Sequence, residues 1–428
     1  MRAGEVPERL NGPDSKSGVR VTVPGVQIPP SPPVFLLTAT PGLQAPEIDV
    51  FISSAFDAGN IRVLTLDDPL NIRLEIQADN QSDFFQWFHF CLGGARGKAC
   101  RLHIVNAAGA AYPGGFDNYR VLYSYDRQTW RRHATSLQDG VLSWEFTPAH
   151  DAVYFAYFHP YSMERHHDLI ARAQCSPRVR HTRLGETLDG QDLDLLTIAT
   201  PNGGGTGKKS CWFIARQHPG ETMAQWWMEG LLECLLDEAD PVATALLQQC
   251  DIHVVPNMNP DGSRRGHLRT NAAGRNLNRE WQTPTLEASP EVWLVKAHMA
   301  TTGVDFFMDV HGDETLPYNF IAGTEGLAEW SGADQARLDF YKSTLARRNP
   351  DFQTEQGYPP KQPGEANMGM STSTVARDFG CLAMTLEMPF KDTTATPDPE
   401  FGWSPPRCKQ LARDCLATLQ DCLLSGLW

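Results

Sequence analysis

The chain has 428 residues, of which 41% are hydrophobic and 21% are charged, as in an ordinary folded protein. Its formal net charge of -14 argues against nucleic acid and against an anionic membrane surface as partners, since both carry negative charge. No stretch approaches the roughly 18 apolar residues of a membrane-spanning helix, so no membrane span is expected. A chain of this length is expected to contain two domains.

The ten cysteines show no C-x-x-C spacing, and several of them lie inside apolar runs. Such cysteines are typical of small buried hydrophobic residues in a reducing compartment, where disulfides are rare. The sequence therefore predicts a cytoplasmic protein.

Residues 1–45 form a leader rich in Pro, Gly, Ser and charge, for which disorder is the default prediction. The leader also resembles the translation of a transfer-RNA gene, and under that alternative the protein begins near Val50 and the leader is not part of it. From 46 to 162, short hydrophobic runs are separated by Asp, Asn, Gly and Pro turns, which predicts an all-β sandwich domain. The runs are 61–66, 72–76, 84–90, 102–105, 119–125, 144–146 and 152–158.

From 163 to 428, strand-like runs alternate with helix-like runs, which predicts an α/β domain. The last segment, 407–427, carries apolar residues at helical spacing and is predicted to be a helix that docks on this domain.

A strand-to-helix junction in this domain carries two potential metal ligands. His218 and Glu221 follow the apolar run 211–215, and Pro219 and Glu221 are expected in the first turn of the helix. An imidazole at one position and a carboxylate three residues later can converge on one metal ion. So short a pattern also occurs by chance, and a buried histidine bonded to a nearby glutamate is the alternative.

Four further motifs follow in a fixed order. They are 257–262 (Asn-Met-Asn-Pro-Asp-Gly), 274–281 (Gly-Arg-Asn-Leu-Asn-Arg-Glu-Trp), 309–312 (Asp-Val-His-Gly) and 385–390 (Thr-Leu-Glu-Met-Pro-Phe). His311 and Glu387 each end a short apolar run, and open α/β sheets build their sites at such strand ends.

This ordered set resembles the zinc metallocarboxypeptidases, specifically their cytosolic carboxypeptidase branch, over roughly 184–390. The resemblance implies an α/β catalytic domain with a mixed central sheet flanked by helices, preceded by the β-sandwich domain. It implies one zinc ion per chain, held by His218, Glu221 and His311, and Glu387 as the general base.

The same resemblance assigns the substrate contacts. Asn278 and Arg279 match the pair that grips the terminal carboxylate of the substrate, and Arg269 matches the arginine that stabilises the oxyanion. Where the family commonly has an aspartate that accepts a hydrogen bond from a zinc-bound histidine, this chain has Asn276. An amide oxygen can still accept that N–H, but it carries no charge.

These residues predict a zinc carboxypeptidase that acts on the C-terminal tails of peptides or proteins. Arginines 264, 265, 269, 275 and 279 predict a preference for C-terminal glutamate, with Arg377 as a further candidate for the pocket floor. The alternative is that these arginines form ion pairs with nearby carboxylates on the surface. A zinc acylase or amidohydrolase of related fold, and a catalytically silent peptide-binding homologue, are the other functions considered. The physiological substrate and the oligomeric state stay open.

Overall fold

A computed structural model describes residues 49–201 and 207–427. The predicted leader, 1–45, lies outside the described residues.

The first ten strands form two five-stranded sheets that pack face to face. The sheet orders are β1-β4-β10-β6-β7 and β2-β3-β5-β9-β8, and the only parallel pair described here is β3 with β5. Trp144 of one sheet lies 5.5 Å from Phe155 of the other, between ring centroids. The strands are β1 (Phe51–Ser53), β2 (Arg62–Thr65), β3 (Ile72–Glu75), β4 (His89–Gly93), β5 (Cys100–Ile104), β6 (Arg120–Ser124), β7 (Arg131–Ala134), β8 (Ser136–Gln138), β9 (Val141–Phe146) and β10 (Ala152–Ala156).

This sandwich confirms the predicted β-rich domain, with one local difference. The predicted run 84–90 enters a strand only at His89. Residues before it bond to loops instead, as where Phe85 accepts the Ala111 N–H and Trp87 donates to the Ala58 carbonyl. Trp87 is buried without being paired in a strand, so a cluster of aromatic residues does not by itself indicate a strand.

The second part of the chain is a mixed sheet flanked by helices, as predicted. Its order is β11-β12-β14-β13-β15-β17-β16, in which β14, β13, β15 and β17 run parallel and the outer strands run antiparallel. The strands are β11 (Val179–Glu186), β12 (Asp192–Ile198), β13 (Lys209–Ala215), β14 (Cys250–Val255), β15 (Phe306–Asp313), β16 (Phe320–Ala322) and β17 (Leu382–Pro389). The helices are α1 (Met163–Ala173), α2 (Thr222–Leu236), α3 (Pro241–Gln249), α4 (Pro260–Arg265), α5 (Pro290–Thr302), α6 (Gly332–Arg348), α7 (Ser371–Phe379) and α8 (Pro405–Leu424).

Strand alternation explains the two helix layers. Phe213 faces a core shared with α2 and α8, whereas its neighbours Trp212 and Ile214 face a core shared with α5 and α7. Parallel strands buried on both faces are expected to be apolar throughout, and β13 and β15 are buried along nearly their whole length.

The predicted C-terminal helix is confirmed as α8, which packs closely on α2. A Cβ added at Gly230 of α2 would lie 2.4 Å from the Cα of Lys409 in α8, so only glycine permits this approach. Within the described ranges, no helix is both long enough and apolar enough to cross a membrane.

The sandwich and the mixed sheet share buried contacts. Tyr157, just after β10, stacks on Phe390, just after β17, with ring centroids 4.8 Å apart. Arg132 of β7 donates to the Phe390 carbonyl at 2.8 Å. The predicted boundary at 162/163 falls in the connection between β10 and α1, and the division into 46–162 and 163–428 stays a prediction.

Candidate active site

The loop between β13 and α2 carries the first two predicted ligands. Helix α2 begins at Thr222 with Glu221 as its N-cap, so Pro219 and Glu221 lie before the first helical turn and not in it. The cause is a contact outside the helix, because the Gly220 N–H donates to the Leu268 carbonyl at 2.9 Å. A Cβ at Gly220 would lie 3.0 Å from that oxygen, which leaves little room for a side chain.

This loop, residues 216–221, is braced on both sides. Arg216 adopts a left-handed backbone with φ of 60° and is fully buried, and it donates to the Pro219 carbonyl at 2.9 Å and the Tyr161 carbonyl at 3.0 Å. From the 257–262 motif, the Asn259 amide donates to the Gln217 carbonyl at 3.0 Å. The motif therefore holds the loop in place.

His218, Glu221 and His311 form one buried cluster. The two Glu221 oxygens lie 2.7 Å from His218 Nδ1 and 2.8 Å from His311 Nδ1, and the two Nδ1 atoms are 3.2 Å apart. One ligand atom from each residue lies within 4.8 Å of the others, and this is the only such group with metal-binding geometry in the described part of the chain.

The hydrogen bonds behind the two imidazoles show why this cluster fits a cation. His218 Nε2 lies 3.0 Å from Asn276 Oδ1, and His311 Nε2 lies 2.8 Å from Asp309 Oδ2. Both oxygens can only accept, and the Asn276 oxygen also accepts the Asn278 N–H at 3.0 Å, which fixes its orientation. Both Nε2 atoms therefore carry a proton, and the two Nδ1 atoms face each other and a carboxylate.

The cluster favours a positive charge: burial lowers the pKa of His311, but Asp309 and Glu221 outweigh burial and raise that pKa well above its usual value. Burial and then the positive charge of Arg269 lower the pKa of His218 to about 4, so this imidazole is neutral, as a metal ligand must be. Two nitrogens at zinc–nitrogen distance in a tetrahedral site would be about 3.3 Å apart, close to the separation found here. The His₂Glu donor set fits zinc, and Asn276 Oδ1 lies at hydrogen-bond distance from His218 Nε2.

Glu387 lies beside this cluster, directly opposite His311 in the β15–β17 register. Its Oε2 is buried without a hydrogen-bond partner among the described residues, and its Oε1 lies 3.3 Å from the Tyr358 hydroxyl. Burial raises the pKa of Glu387 well above its usual value, and nearby carboxylates oppose its ionisation while His311 favours it. An under-bonded carboxylate with a raised pKa is suited to accept a proton.

Arg269 approaches the cluster from the loop that follows α4. Its guanidinium lies 5.5 Å from the ring centre of Phe84 and 5.4 Å from that of Tyr112, both in the sandwich domain. Its charge reaches His218, whose pKa it lowers, and Arg279, whose pKa is lowered by burial and then by Arg269. Arg269 thus lies close enough to both His218 and Arg279 for its charge to act on them.

Asn278 and Arg279 are held at the edge of the cluster. The Asn278 Nδ2 lies 3.5 Å from His311 Nε2, and its Oδ1 accepts the Ser371 N–H at 2.9 Å. Arg279 donates to the Asn278 carbonyl at 2.6 Å. Neither Arg269 nor Arg279 forms an ion pair with any residue that the structure describes.

Three of the other candidate arginines pair with carboxylates outside the site. Arg265 forms a two-pronged pair with Asp189 at 2.7 and 2.8 Å, and Arg275 pairs with Glu280 at 3.0 Å, so the surface alternative holds for these two. Arg377 is exposed and pairs with Asp378 near the carboxyl end of α7, at 2.6 Å. Ser371, at the opposite end of that helix, is the residue that contacts the site.

Three functional candidates were missed by sequence reasoning. The Tyr358 hydroxyl lies 2.6 Å from Asp313 Oδ2 and near Glu387, although Tyr358 belongs to an irregular Gly- and Pro-rich segment with no motif. Burial raises the pKa of Glu314 well above its usual value, and the charge of Glu221 raises it further. Asp313 and Glu314 directly follow His311 and Gly312, and two acids at a strand end were the available signal.

A mixed α/β sheet with a buried His-Glu-His cluster and a carboxylate at its strand ends defines a metallohydrolase. Residues 52–158 match the cytosolic carboxypeptidase N-terminal domain, and residues 168–419 match the zinc carboxypeptidase domain. The chain therefore belongs to the zinc carboxypeptidase family, as the sequence predicted, and is a peptidase of the metallocarboxypeptidase class.

Bacterial relatives are similar over nearly their whole length. An uncharacterized protein of Zymomonas mobilis is 53% identical over 86% of this chain and 96% of its own. A metallo-carboxypeptidase structure from Burkholderia cenocepacia is 43% identical, covers 88% of this chain and 100% of its own, and has a TM-score of 0.86. Cytosolic carboxypeptidase 1 of Danio rerio is 29% identical over 63% of this chain, a match that spans only 27% of that relative.

Proposed function

We propose that this protein is a zinc-dependent exopeptidase that removes the C-terminal residue of peptides or proteins. The observation that carries the proposal is the set of three potential metal ligands, His218, Glu221 and His311, converging beside the under-bonded carboxylate of Glu387. These three residues would hold one zinc ion per chain. Zinc bound there would supply Lewis acidity and lower the pKa of a coordinated water from about 15.7 toward about 7.

Glu387 is proposed to move the protons. Its buried, unpartnered Oε2 takes a proton from the attacking water, because a carboxylate with a raised pKa is a stronger base than an exposed one. The protonated group then donates to the nitrogen of the departing residue. The Tyr358 hydroxyl lies 3.3 Å from Oε1, and its shorter hydrogen bond is donated to Asp313 Oδ2 at 2.6 Å.

Two arginines are proposed to handle the two negative charges of the reaction. Arg269 stabilises the oxygen of the scissile carbonyl as negative charge develops on it, the contribution that usually dominates such barriers. Arg279 binds the terminal carboxylate of the substrate through paired hydrogen bonds, with Asn278 beside it. Only a chain end presents that carboxylate, so this contact would make the enzyme an exopeptidase.

A preference for C-terminal glutamate is a further part of the proposal. Arg269 and Arg279 have no carboxylate partner among the described residues, but both are assigned above to other charges of the reaction, so the preference would draw only on the positive field that the two produce together in a chain of net charge -14. A metallo-carboxypeptidase from Pseudomonas aeruginosa, 41% identical with a TM-score of 0.85, was solved with (2-guanidinoethylmercapto)succinic acid. That molecule carries two carboxylates and one guanidinium group, so a substrate panel needs both acidic and basic peptides.

The test is the release of free amino acids from matched peptides that end in Glu, Asp, Leu, Phe, Lys and Arg. We expect release that is abolished by a chelator and restored by zinc, with the highest kcat/KM for Glu. Higher kcat/KM for Leu, Phe or Lys would refute the glutamate preference and leave the exopeptidase. Absence of release from all peptides by zinc-loaded protein would favour the silent peptide-binding alternative.

The carboxypeptidase and acylase alternatives are separated by the same assay. An acylase cleaves N-acyl amino acids faster than it cleaves unblocked peptides of several residues, and we expect the reverse.

We also propose a cytoplasmic location. All ten cysteines lie in the described ranges and none forms a disulfide, which fits a reducing compartment.

A further inference from the structure

We propose that the sandwich domain supplies a positioning residue for the active site, and that this residue is Asp79. The inference rests on the function proposed above for Arg269. Asp79 is 3% exposed and lies in the turn between β3 and β4. It is about 190 residues away in sequence from the loop it contacts.

Both carboxylate oxygens of Asp79 accept hydrogen bonds from the backbone of the loop 268–270. Oδ1 accepts the Leu268 N–H at 2.6 Å, and Oδ2 accepts the Arg269 N–H at 2.7 Å and the Thr270 N–H at 2.8 Å. The Thr270 hydroxyl donates to Oδ2 as well, at 3.1 Å. A carboxylate holding three consecutive N–H groups fixes the backbone from which the Arg269 side chain departs.

The same turn also orients the guanidinium itself. Asp79 donates its own N–H to the Phe84 carbonyl at 2.8 Å, so the carboxylate and the Phe84 ring belong to one closed turn. Tyr112 is fixed by Gln86, whose amide accepts the Tyr112 N–H at 2.8 Å and donates to the Tyr112 carbonyl at 2.9 Å. Arg269 lies against both aromatic rings.

Aromatic faces suit this arginine better than a carboxylate would. A carboxylate partner would neutralise the charge that the oxyanion needs, whereas ring faces hold a guanidinium while leaving its positive charge available. Asp79 accordingly binds the backbone of Arg269 and not its side chain. The sandwich domain thereby holds both the backbone and the guanidinium of Arg269 without neutralising its positive charge.

The loop also contacts the metal-binding loop, which gives Asp79 a second possible route of action. Leu268 donates its N–H to Asp79 and accepts the Gly220 N–H, and Gly220 lies between the ligands His218 and Glu221. Metal content therefore has to be measured beside activity. The ligands have their own supports in Asn276 and Asp309, so we expect Asp79 to act through Arg269.

The experiment compares Asp79→Asn, Arg269→Ala and the double variant in the full chain loaded with zinc. Asparagine has one acceptor oxygen and turns an N–H₂ toward the loop N–H groups, so the loop shifts. A displacement near 1 Å can cost about 100-fold in rate, and we expect kcat to fall by about 10- to 100-fold with KM within about threefold. In the Arg269→Ala background the same substitution should cost less than about threefold, because the two changes remove one function.

Asp57→Asn is the matched control. Asp57 is also a sandwich carboxylate that accepts an N–H from the second part of the chain, at Met163 and 2.9 Å, but it does not touch the 268–270 loop. We expect its kcat to stay within about twofold of wild type. Full additivity of Asp79→Asn and Arg269→Ala, or loss of zinc in proportion to kcat, would overturn the proposal.

Hydrogen exchange of the segment 267–272 gives a readout that does not depend on peptidase activity. We expect faster exchange of this segment in Asp79→Asn and unchanged exchange in Asp57→Asn, with zinc bound to both variants. Unchanged exchange in Asp79→Asn refutes the backbone clamp even if the wild-type protein cleaves no peptide. If the wild-type protein cleaves no peptide but the segment exchanges faster in Asp79→Asn, the proposed exopeptidase activity is refuted and the hydrogen bonding of Asp79 to the loop backbone is supported.

Discussion

Replacing Asn276 tests the metal site through a residue that would not touch the ion. Its Oδ1 accepts from His218 Nε2 and from the Asn278 N–H, both at 3.0 Å. An aspartate keeps both hydrogen bonds and adds a charge, and an alanine removes both. The two substitutions should therefore shift zinc affinity in opposite directions.

The magnitude follows from the role of the acceptor. Removing such a partner costs about 10- to 100-fold in metal affinity, or about 1.4–2.7 kcal/mol. We expect that loss for Asn276→Ala. For Asn276→Asp we expect a gain of about tenfold, because the residue is half-buried and water offsets part of the cost of a new charge.

Competition with a chromophoric zinc chelator measures both dissociation constants, with thermal unfolding as a check on folding. Zinc affinity in Asn276→Ala equal to that of the wild type would show that His218 is not a ligand or is not oriented by this bond. Weaker zinc binding in Asn276→Asp would show that the charge destabilises the site more than it strengthens His218.

Three further outcomes follow from the structure. Glu387→Gln should keep zinc and lower kcat by about 10²- to 10⁴-fold, measured by amino-acid release, and near-normal turnover would refute its role as base. Burial raises the pKa of Glu291 to about 8, so the folded state binds a proton that the unfolded state releases near its ordinary value. Glu291 therefore contributes to the free energy of unfolding at low pH, and this contribution decreases as the pH rises toward 8. The Tm of Glu291→Gln should decrease less than the Tm of the wild type over the same pH range. Arg377→Ala should change kcat/KM by less than about twofold, and a large loss for glutamate peptides would place Arg377 in the pocket.

The sheet topology brings together the residues that we propose as metal ligands and general base. His218 follows β13, and His311 and Glu387 lie near the ends of β15 and β17, which are adjacent parallel strands. Carboxyl ends of parallel strands meet at one edge, so apolar runs ending in His or Glu indicate a shared site. The strand ends indicated a shared site, whereas the resemblance to the zinc carboxypeptidases supplied the roles of its residues.

Arg377 shows where closeness in sequence misleads. It lies a few residues before the strand that carries Glu387, but only two residues separate α7 from β17, and the opposite end of the helix is the one that contacts the site. Its first residue, Ser371, therefore lies at the site, and Arg377 lies about 9 Å further along the helix. The direction of a helix relative to its strand decides which of its residues reach the site.

The contacts of Asp79 could not have been predicted from residue patterns. Three of its four donors are backbone N–H groups, which almost every residue possesses, and the fourth is a common threonine hydroxyl. A pattern search recognises side chains, so a carboxylate that binds backbone across two domains leaves no signature in either segment. Motifs thus locate the chemistry, whereas the groups that hold it in place become visible only when the sandwich and the mixed sheet are packed together.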